Sequence, residues 1–324
     1  MGLREATRLA ARVTPVTLAV LAVGALAAPR AGATFPGRPG RIAWAYATYD
    51  PNYHGSLDYG IQTVGPLGNG EKTLVSCFTG DPDNSISCPS YGGVAYSADG
   101  TRLVWVLTTI GGVSELVVAK ADGSDQQVIV HPGENDFEPG FSPRGDRLIY
   151  VRIVRSGRQE IVTSDLAGHH VRRLTTTGRE PEFSPDGRHV LFIHGYSAWV
   201  VGSNGRGAHR LLTHSVSADW SPNGKSIVVV TPYSLIRTAR ANGTGLFQLS
   251  ISFPDGIGMY DPSFAVFSPD GKSIAFNSID QTSSPNIYTV PVRGGRARDV
   301  DSFNTDDEGS GDPGVAGLSW QPLH

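Results

Sequence analysis

The 324-residue sequence predicts an all-β fold, namely a six-bladed β-propeller built from four-stranded antiparallel blades. Three observations support this prediction. A turn motif recurs along the chain, an apolar strand follows each copy, and each chain end carries half of a further copy. The high content of glycine and proline, 40 and 22 residues, is typical of a chain with many turns.

The turn motif is clearest in residues 267–276, which read FSPDGKSIAF. Proline sets φ at the second position of a type I turn, and Asp or Asn is tolerated at the third. Glycine then adopts the left-handed conformation that a bulged hairpin needs. An aromatic residue precedes each turn and a branched apolar strand follows it, so each copy predicts an antiparallel hairpin. The copies are 142–145, 184–187, 221–224 and 268–271, with a looser one at 97–100.

The spacing of these turns indicates the repeating unit. Successive motif glycines are 60, 45, 42, 37 and 47 residues apart, counted from Gly40 through Gly271. These distances are close to the length of a four-stranded propeller blade, about 40–45 residues. Two further apolar strands lie between successive turns, and no segment after residue 33 has helical periodicity. We therefore expect a single propeller domain over residues 34–324.

The two chain ends predict how the ring closes. The strand at 40–44 has no hairpin partner upstream, and residues 317–322 resemble the first half of the motif, with Trp320 as the aromatic residue. A C-terminal strand that completes the N-terminal blade would leave no open edge at the junction. The sequence therefore predicts that residues 318–320 pair with residues 42–44.

Residues 1–33 have the features of an export signal. Arg4, Arg8 and Arg12 supply the positive start, 13–28 form the apolar core, and Ala-Gly-Ala at 31–33 is a small-residue cleavage site. The alternative is a membrane anchor, but the apolar stretch is shorter than the roughly 20 residues that span a bilayer. We expect a secreted or otherwise extracytoplasmic protein with no transmembrane anchor after cleavage.

Charge and cysteine content restrict the partners and the compartment. The formal net charge of −3 gives no basic surface for a polyanion, so we expect no nucleic-acid partner. The two cysteines, Cys77 and Cys88, lie in one loop, and in an oxidising compartment we expect them to form a disulfide. Unlinked thiols are the alternative.

The SPDG turn, the Ile-Ala-Phe strand after it and the Leu-Thr ending of the fourth strands resemble the PD repeat of the TolB-like propellers. This repeat also resembles the one found in the propeller domains of prolyl oligopeptidase-type peptidases. The resemblance covers about residues 38–322 and implies the fold rather than an activity. We expect neither the small α/β domain that precedes the propeller in full-length TolB nor the hydrolase domain of the peptidases.

Four acidic residues, each followed by proline, precede predicted innermost strands: Glu138, Glu180, Asp261 and Asp312. Because innermost strands line the channel of a propeller, these carboxylates are predicted to converge at its mouth. Such a ring would concentrate negative potential and could hold Ca²⁺ or a basic peptide group. The alternative is that each carboxylate accepts hydrogen bonds from the backbone of the neighbouring blade. No other cofactor is expected.

The sequence contains no G-x-S-x-G elbow, H-E-x-x-H motif, P-loop or dinucleotide fingerprint. It therefore favours a monomeric, non-enzymatic binding or scaffold propeller that presents a loop-rich face to a protein or peptide partner in the cell envelope. Two alternatives remain. One is an enzyme of lyase or hydrolase type with a site scattered over several blades, and the other is a regulatory propeller for a separately encoded hydrolase.

Overall fold

The computed structural model describes residues 34–50, 56–78, 89–253, 262–279, 285–301 and 311–324. The described residues form 26 strands and no helix. Six four-stranded antiparallel sheets form the blades, and β20 (Ile251–Ser252) and β24 (Gly295–Arg296) form a short parallel pair between blades 5 and 6. The predicted all-β, six-bladed propeller is confirmed.

The strands are given for each blade from the channel outward. Blade 1 contains β26 (Gly311–Leu323), β1 (Arg38–Asp50), β2 (Ser56–Val64) and β3 (Lys72–Phe78). Blade 2 contains β4 (Ser90–Tyr96), β5 (Arg102–Thr108), β6 (Ser114–Lys120) and β7 (Gln127–Ile129). Blade 3 contains β8 (Asn135–Phe141), β9 (Arg147–Ile153), β10 (Gln159–Asp165) and β11 (Arg172–Thr175).

The other three blades follow the same order. Blade 4 contains β12 (Arg179–Phe183), β13 (His189–Ile193), β14 (Ser197–Gly202) and β15 (His209–Thr213). Blade 5 contains β16 (Ser217–Trp220), β17 (Ser226–Val230), β18 (Ile236–Arg240) and β19 (Phe247–Gln248). Blade 6 contains β21 (Ala265–Phe267), β22 (Ser273–Ile279), β23 (Pro285–Pro291) and β25 (Arg298–Asp301).

The SPDG turn has the predicted geometry. In blade 4, Gly187 has φ of 70° and donates its backbone N–H to the carbonyl oxygen of Ser184, 2.8 Å away. The Ser184 hydroxyl donates to Asp186 (2.6 Å) and accepts from the backbone N–H of His189 (3.0 Å). The side chains of Ser184 and Asp186 therefore stabilise the turn through hydrogen bonds within it. The equivalent bonds recur in blades 2, 5 and 6.

The C-terminal strand closes the ring. Strand β26 pairs antiparallel with β1, and Trp320, Ser319 and Leu318 lie opposite Ile42, Ala43 and Trp44. The predicted closure and its register are confirmed. Strand β26, not the 40–44 strand, is innermost, so β1 is the second strand of its blade.

The hydrophobic core is divided between neighbouring blades. Among the described residues there are six buried clusters, each joining apolar side chains of two adjacent blades. The cluster at the closure joins Trp44 and Trp320 of blade 1 to Phe264 and Val266 at blade 6. Each blade therefore depends on both of its neighbours, and we expect the ring to unfold as a unit.

Candidate binding site at the channel and the loop face

The innermost strands of four blades contain a β-bulge at the same place, three residues before the motif aromatic residue. Residues at this place have positive φ: Gly93 (45°), Glu138 (50°), Glu180 (52°) and Gly317 (84°). A left-handed conformation is uncommon for a residue with a side chain. Because a bulge changes the direction of a side chain, it explains how Glu138 and Glu180 lie at one level of the channel wall.

Glu138 and Glu180 are buried and bonded across two blades. The backbone N–H of Glu180 donates to Oε2 of Glu138 (2.5 Å). Nη1 of Arg179 lies 3.0 Å from Oε1 of Glu180, and its Nη2 donates to the carbonyl oxygen of Val216 in blade 5 (3.2 Å). This chain of contacts joins blades 3, 4 and 5, and the guanidinium balances part of the acidic charge.

The other two predicted carboxylates differ in position. Asp261 lies outside the described residues, and Asp312 belongs to β26 with its side chain outside the described part. Asp261 is six residues before Phe267 and Asp312 is eight before Trp320, whereas Glu138 and Glu180 are three before theirs. The structure therefore brings Glu138 and Glu180 together, and calcium binding by the group of four stays a prediction.

A second pair of acidic residues, not predicted from the sequence, lies deeper in the channel. Glu182 and Asp219 each precede the motif aromatic residue by one position, in blades 4 and 5, and both are fully buried. Asp219 accepts from the backbone N–H of Phe267 in blade 6 (2.8 Å). Burial raises the pKa of Asp219 to about 7, against the lowering effect of its bonds to Phe267, Glu182 and Thr34. Aligning the copies on the aromatic residue would have shown these two acidic residues in one column.

Residues 34–37, here called the N-terminal plug, cross the channel at its SPDG-turn end. Thr34 bonds to Asp219 and to the carbonyl oxygen of Phe267, while Phe35 is buried against apolar residues of blades 2 and 3. Gly37 donates its N–H to the carbonyl oxygen of Pro269 (3.2 Å). Beside the plug a cavity of about 240 Å³ remains, lined by Phe35, Pro36, Ala98, Asp99, Pro143, Arg144, Pro185 and His324.

A larger groove of about 630 Å³ lies between blades 4 and 5 on the same face. Its lining includes His189, His209, Asp186 and Trp220. Within the described part of the chain, no three His, Cys, Asp or Glu residues are grouped so that they could hold a metal ion. The groove therefore has no metal-ligand set among the described residues.

Blade 3 contains a buried ion network next to the bulge of Glu138. Nε and Nη2 of Arg152 donate to the two carboxylate oxygens of Asp136 (2.8 and 3.0 Å), and its Nη1 lies 2.8 Å from Glu134. His131 bonds to Asp136 through Nδ1 (2.6 Å) and to the Gly168 carbonyl oxygen through Nε2 (2.9 Å). The Asp136 bond raises the pKa of His131, against the opposing effect of partial burial. Both ring nitrogens are occupied, so the network orders the inter-blade connection.

The face opposite the SPDG turns, here called the loop face, carries exposed aromatic residues. Tyr196 is 65% exposed and Tyr233 is 70% exposed, on the turns between the second and third strands of blades 4 and 5. Tyr196 has φ of 55°, and the ring of Tyr233 lies 6.4 Å from that of His214. Large exposed aromatic residues on adjacent blades are typical of protein-binding surfaces. The three longest segments that connect successive blades are 76–93, 250–263 and 302–317. Within them, residues 79–88, 254–261 and 302–310 lie outside the described residues.

Cys77 lies on β3 and takes part in a disulfide. Its predicted partner, Cys88, lies outside the described residues, so the pairing stays a prediction.

A family model described as the TolB beta propeller domain, PD40, matches residues 79–264. The chain belongs to this family. The resemblance of its SPDG repeats to TolB-like propellers is thus confirmed. No helix in the described residues is long and apolar enough to cross a membrane.

Individual TolB proteins are similar to this chain over part of their length. The Tol-Pal system protein TolB of Bordetella pertussis is 30% identical over 212 residues, 61% of this chain and 36% of that protein. The protein of the same name from Anaeromyxobacter dehalogenans (strain 2CP-C) is 33% identical over 120 residues, 34% of this chain and 26% of that protein. The matches thus span only 36% and 26% of the length of these two relatives.

Solved structures show the same fold. The crystal structure of TolB from Acinetobacter baumannii superposes with a TM-score of 0.65 and 20% identity, covering 87% of this chain and 67% of that chain. A puromycin hydrolase structure superposes with a TM-score of 0.50 and 14% identity, covering 84% of this chain and 46% of that one. The expected similarity to peptidase propellers is therefore present at the level of fold.

Proposed function

We propose that this chain is an exported, non-enzymatic binding propeller whose loop face contacts a protein or peptide partner in the cell envelope. Export here includes removal of residues 1–33. The observation that carries the proposal is the exposure of Tyr196 and Tyr233 on neighbouring blades of that face. Tyrosine provides a large contact area and a polar end while losing little side-chain freedom, which is why it is frequent among residues that dominate binding.

The contacts inside the channel also favour the loop face as the binding surface. The N-terminal plug crosses the SPDG-turn end. Glu138 accepts from the backbone N–H of Glu180, and Glu180 is paired with Arg179. The loop face is the broad surface that carries the inter-blade connections. The matched relatives are named Tol-Pal system proteins, which supports a partner in the envelope.

Site-specific crosslinking in cells tests the proposal. A photoreactive amino acid placed at Tyr196 or Tyr233 is expected to give a defined adduct with an envelope protein. Leu67 is the matched control, because it is 68% exposed but lies on the opposite face, in the β2–β3 turn. Adducts of the same size and yield from Leu67 would contradict a loop-face site.

The crosslinked partner then allows a direct measurement of affinity. The double variant Tyr196→Ser/Tyr233→Ser should bind it at least about 30-fold more weakly, since two such residues together contribute roughly 2 kcal/mol or more. The melting temperature should stay unchanged because both side chains are exposed. Unchanged affinity would refute the assignment of this surface.

A further inference from the structure

We propose that removal of residues 1–33 converts the buried contact between Thr34 and Asp219 into an ion pair, which locks the N-terminal plug in the channel. The proposal rests on the proposed export but not on partner binding. It makes leader cleavage a step in completing the fold, in addition to releasing the protein.

The geometry around Thr34 is the first support. Its backbone nitrogen lies 3.3 Å from Oδ1 of Asp219, and its hydroxyl donates to Oδ2 of the same carboxylate (2.8 Å). The hydroxyl oxygen also lies 3.0 Å from the carbonyl oxygen of Phe267. Thr34 is 1% exposed and Asp219 is fully buried. The nitrogen that cleavage would release is therefore already directed at a carboxylate away from water.

The charge around Asp219 is the second support. Among the described residues, no Lys, Arg or His side chain forms an ion pair with Asp219, and the side chain bonded to it in the channel wall, Glu182, is also acidic. Arg179, the nearby cation of blade 4, pairs with Glu180. A buried carboxylate without a cation is costly. A positive charge at Thr34 N would offset part of that cost.

The predicted cleavage site is the third support. The small-residue motif at 31–33 places the scissile peptide bond directly before Thr34. A signal peptidase would hydrolyse this bond with one water molecule, leaving a carboxylate on Ala33 and an α-amino group on Thr34. The α-amino group has a pKa of about 7.7–8.0 in a free chain, so it takes up a proton at neutral pH. An ammonium next to a carboxylate forms a stronger, charge-assisted hydrogen bond than the peptide N–H does.

The first measurement is the N-terminal sequence and intact mass of the exported protein. The mature chain is expected to begin at Thr34. A chain that begins at any other residue overturns the proposal. This measurement does not depend on the binding partner. It can therefore refute the ion pair without refuting the loop face as the binding surface.

The second measurement is a double-mutant cycle on exported protein. One change inserts Gly-Ser between Ala33 and Thr34, so that cleavage leaves two residues before Thr34 and moves the ammonium away. The other change is Asp219→Asn, which keeps a hydrogen-bond acceptor but removes the charge. The insertion should lower the melting temperature by about 5 °C in the wild-type background and by much less with Asn at 219. Equal losses in both backgrounds overturn the ion pair.

A third measurement remains informative if the Asp219→Asn variant does not fold. An amine-selective reagent at neutral pH should leave the α-amino group of native mature protein unmodified and should modify it in urea. The Gly-Ser insertion variant should be modified in its native state. Rapid modification of the native mature chain at Thr34 overturns the proposal.

Discussion

Trp320 gives the most direct test of ring closure. The residue lies on the last strand, is buried, and packs in the cluster that joins blade 1 to blade 6. Its indole Nε1 donates to the carbonyl oxygen of Gly40 (3.1 Å). The Trp320→Ala substitution therefore removes a large apolar side chain from the closure and also leaves a buried carbonyl oxygen without its donor.

The expected cost follows from these two losses. Replacing a buried tryptophan by alanine costs about 3–5 kcal/mol, because transfer free energy is lost and a cavity remains. The unpaired carbonyl of Gly40 adds roughly 1 kcal/mol. We expect the free energy of unfolding to fall by about 4–6 kcal/mol, a large part of the roughly 5–15 kcal/mol typical of a folded protein.

Urea unfolding followed by far-UV circular dichroism measures this loss without relying on tryptophan fluorescence. The matched control is Leu323→Ala, since Leu323 is on the same strand but exposed, and it should cost less than about 0.5 kcal/mol. Deleting residues 315–324 should open the ring and remove most of the stability. A Trp320→Ala cost below about 1.5 kcal/mol, or an unchanged melting curve for the deletion, would refute this account of closure.

Three further predictions concern titration, calcium and the disulfide. The pKa of His131 is raised in the folded state, so the stability it contributes is complete below its unfolded pKa of about 6.5 and is lost as pH rises through the folded pKa. The His131→Asn substitution should therefore lower the free energy of unfolding more at pH 5.5 than at pH 8.5. Equal losses at both pH values would contradict this. If the acidic channel mouth binds calcium, Ca²⁺ should raise the melting temperature, and the double substitution Glu138→Gln/Glu180→Gln should abolish this rise. An undiminished rise in the double variant would mean that these carboxylates have only a structural role. Thiol titration of unreduced exported protein should find no free thiol at Cys77 or Cys88, and two per chain would exclude the bridge.

The sequence by itself determined the ring. Each SPDG turn is local, because serine, proline, Asp and glycine within four residues fix its hydrogen bonds. The spacing of the turns indicated four strands per blade, and the half-motifs at 40–44 and 317–322 determined closure and register. Information of this kind is periodic along the chain, so it can be recognised without knowing which residues meet in space.

Only the tertiary structure decided what the channel contains. The bond from Glu180 N to Glu138 joins residues 42 positions apart, and the one from Thr34 to Asp219 joins residues 185 positions apart. No local pattern encodes which side chains face one another across a closed ring. The burial that raises the pKa of Asp219 likewise exists only once the blades have closed around the N-terminal plug.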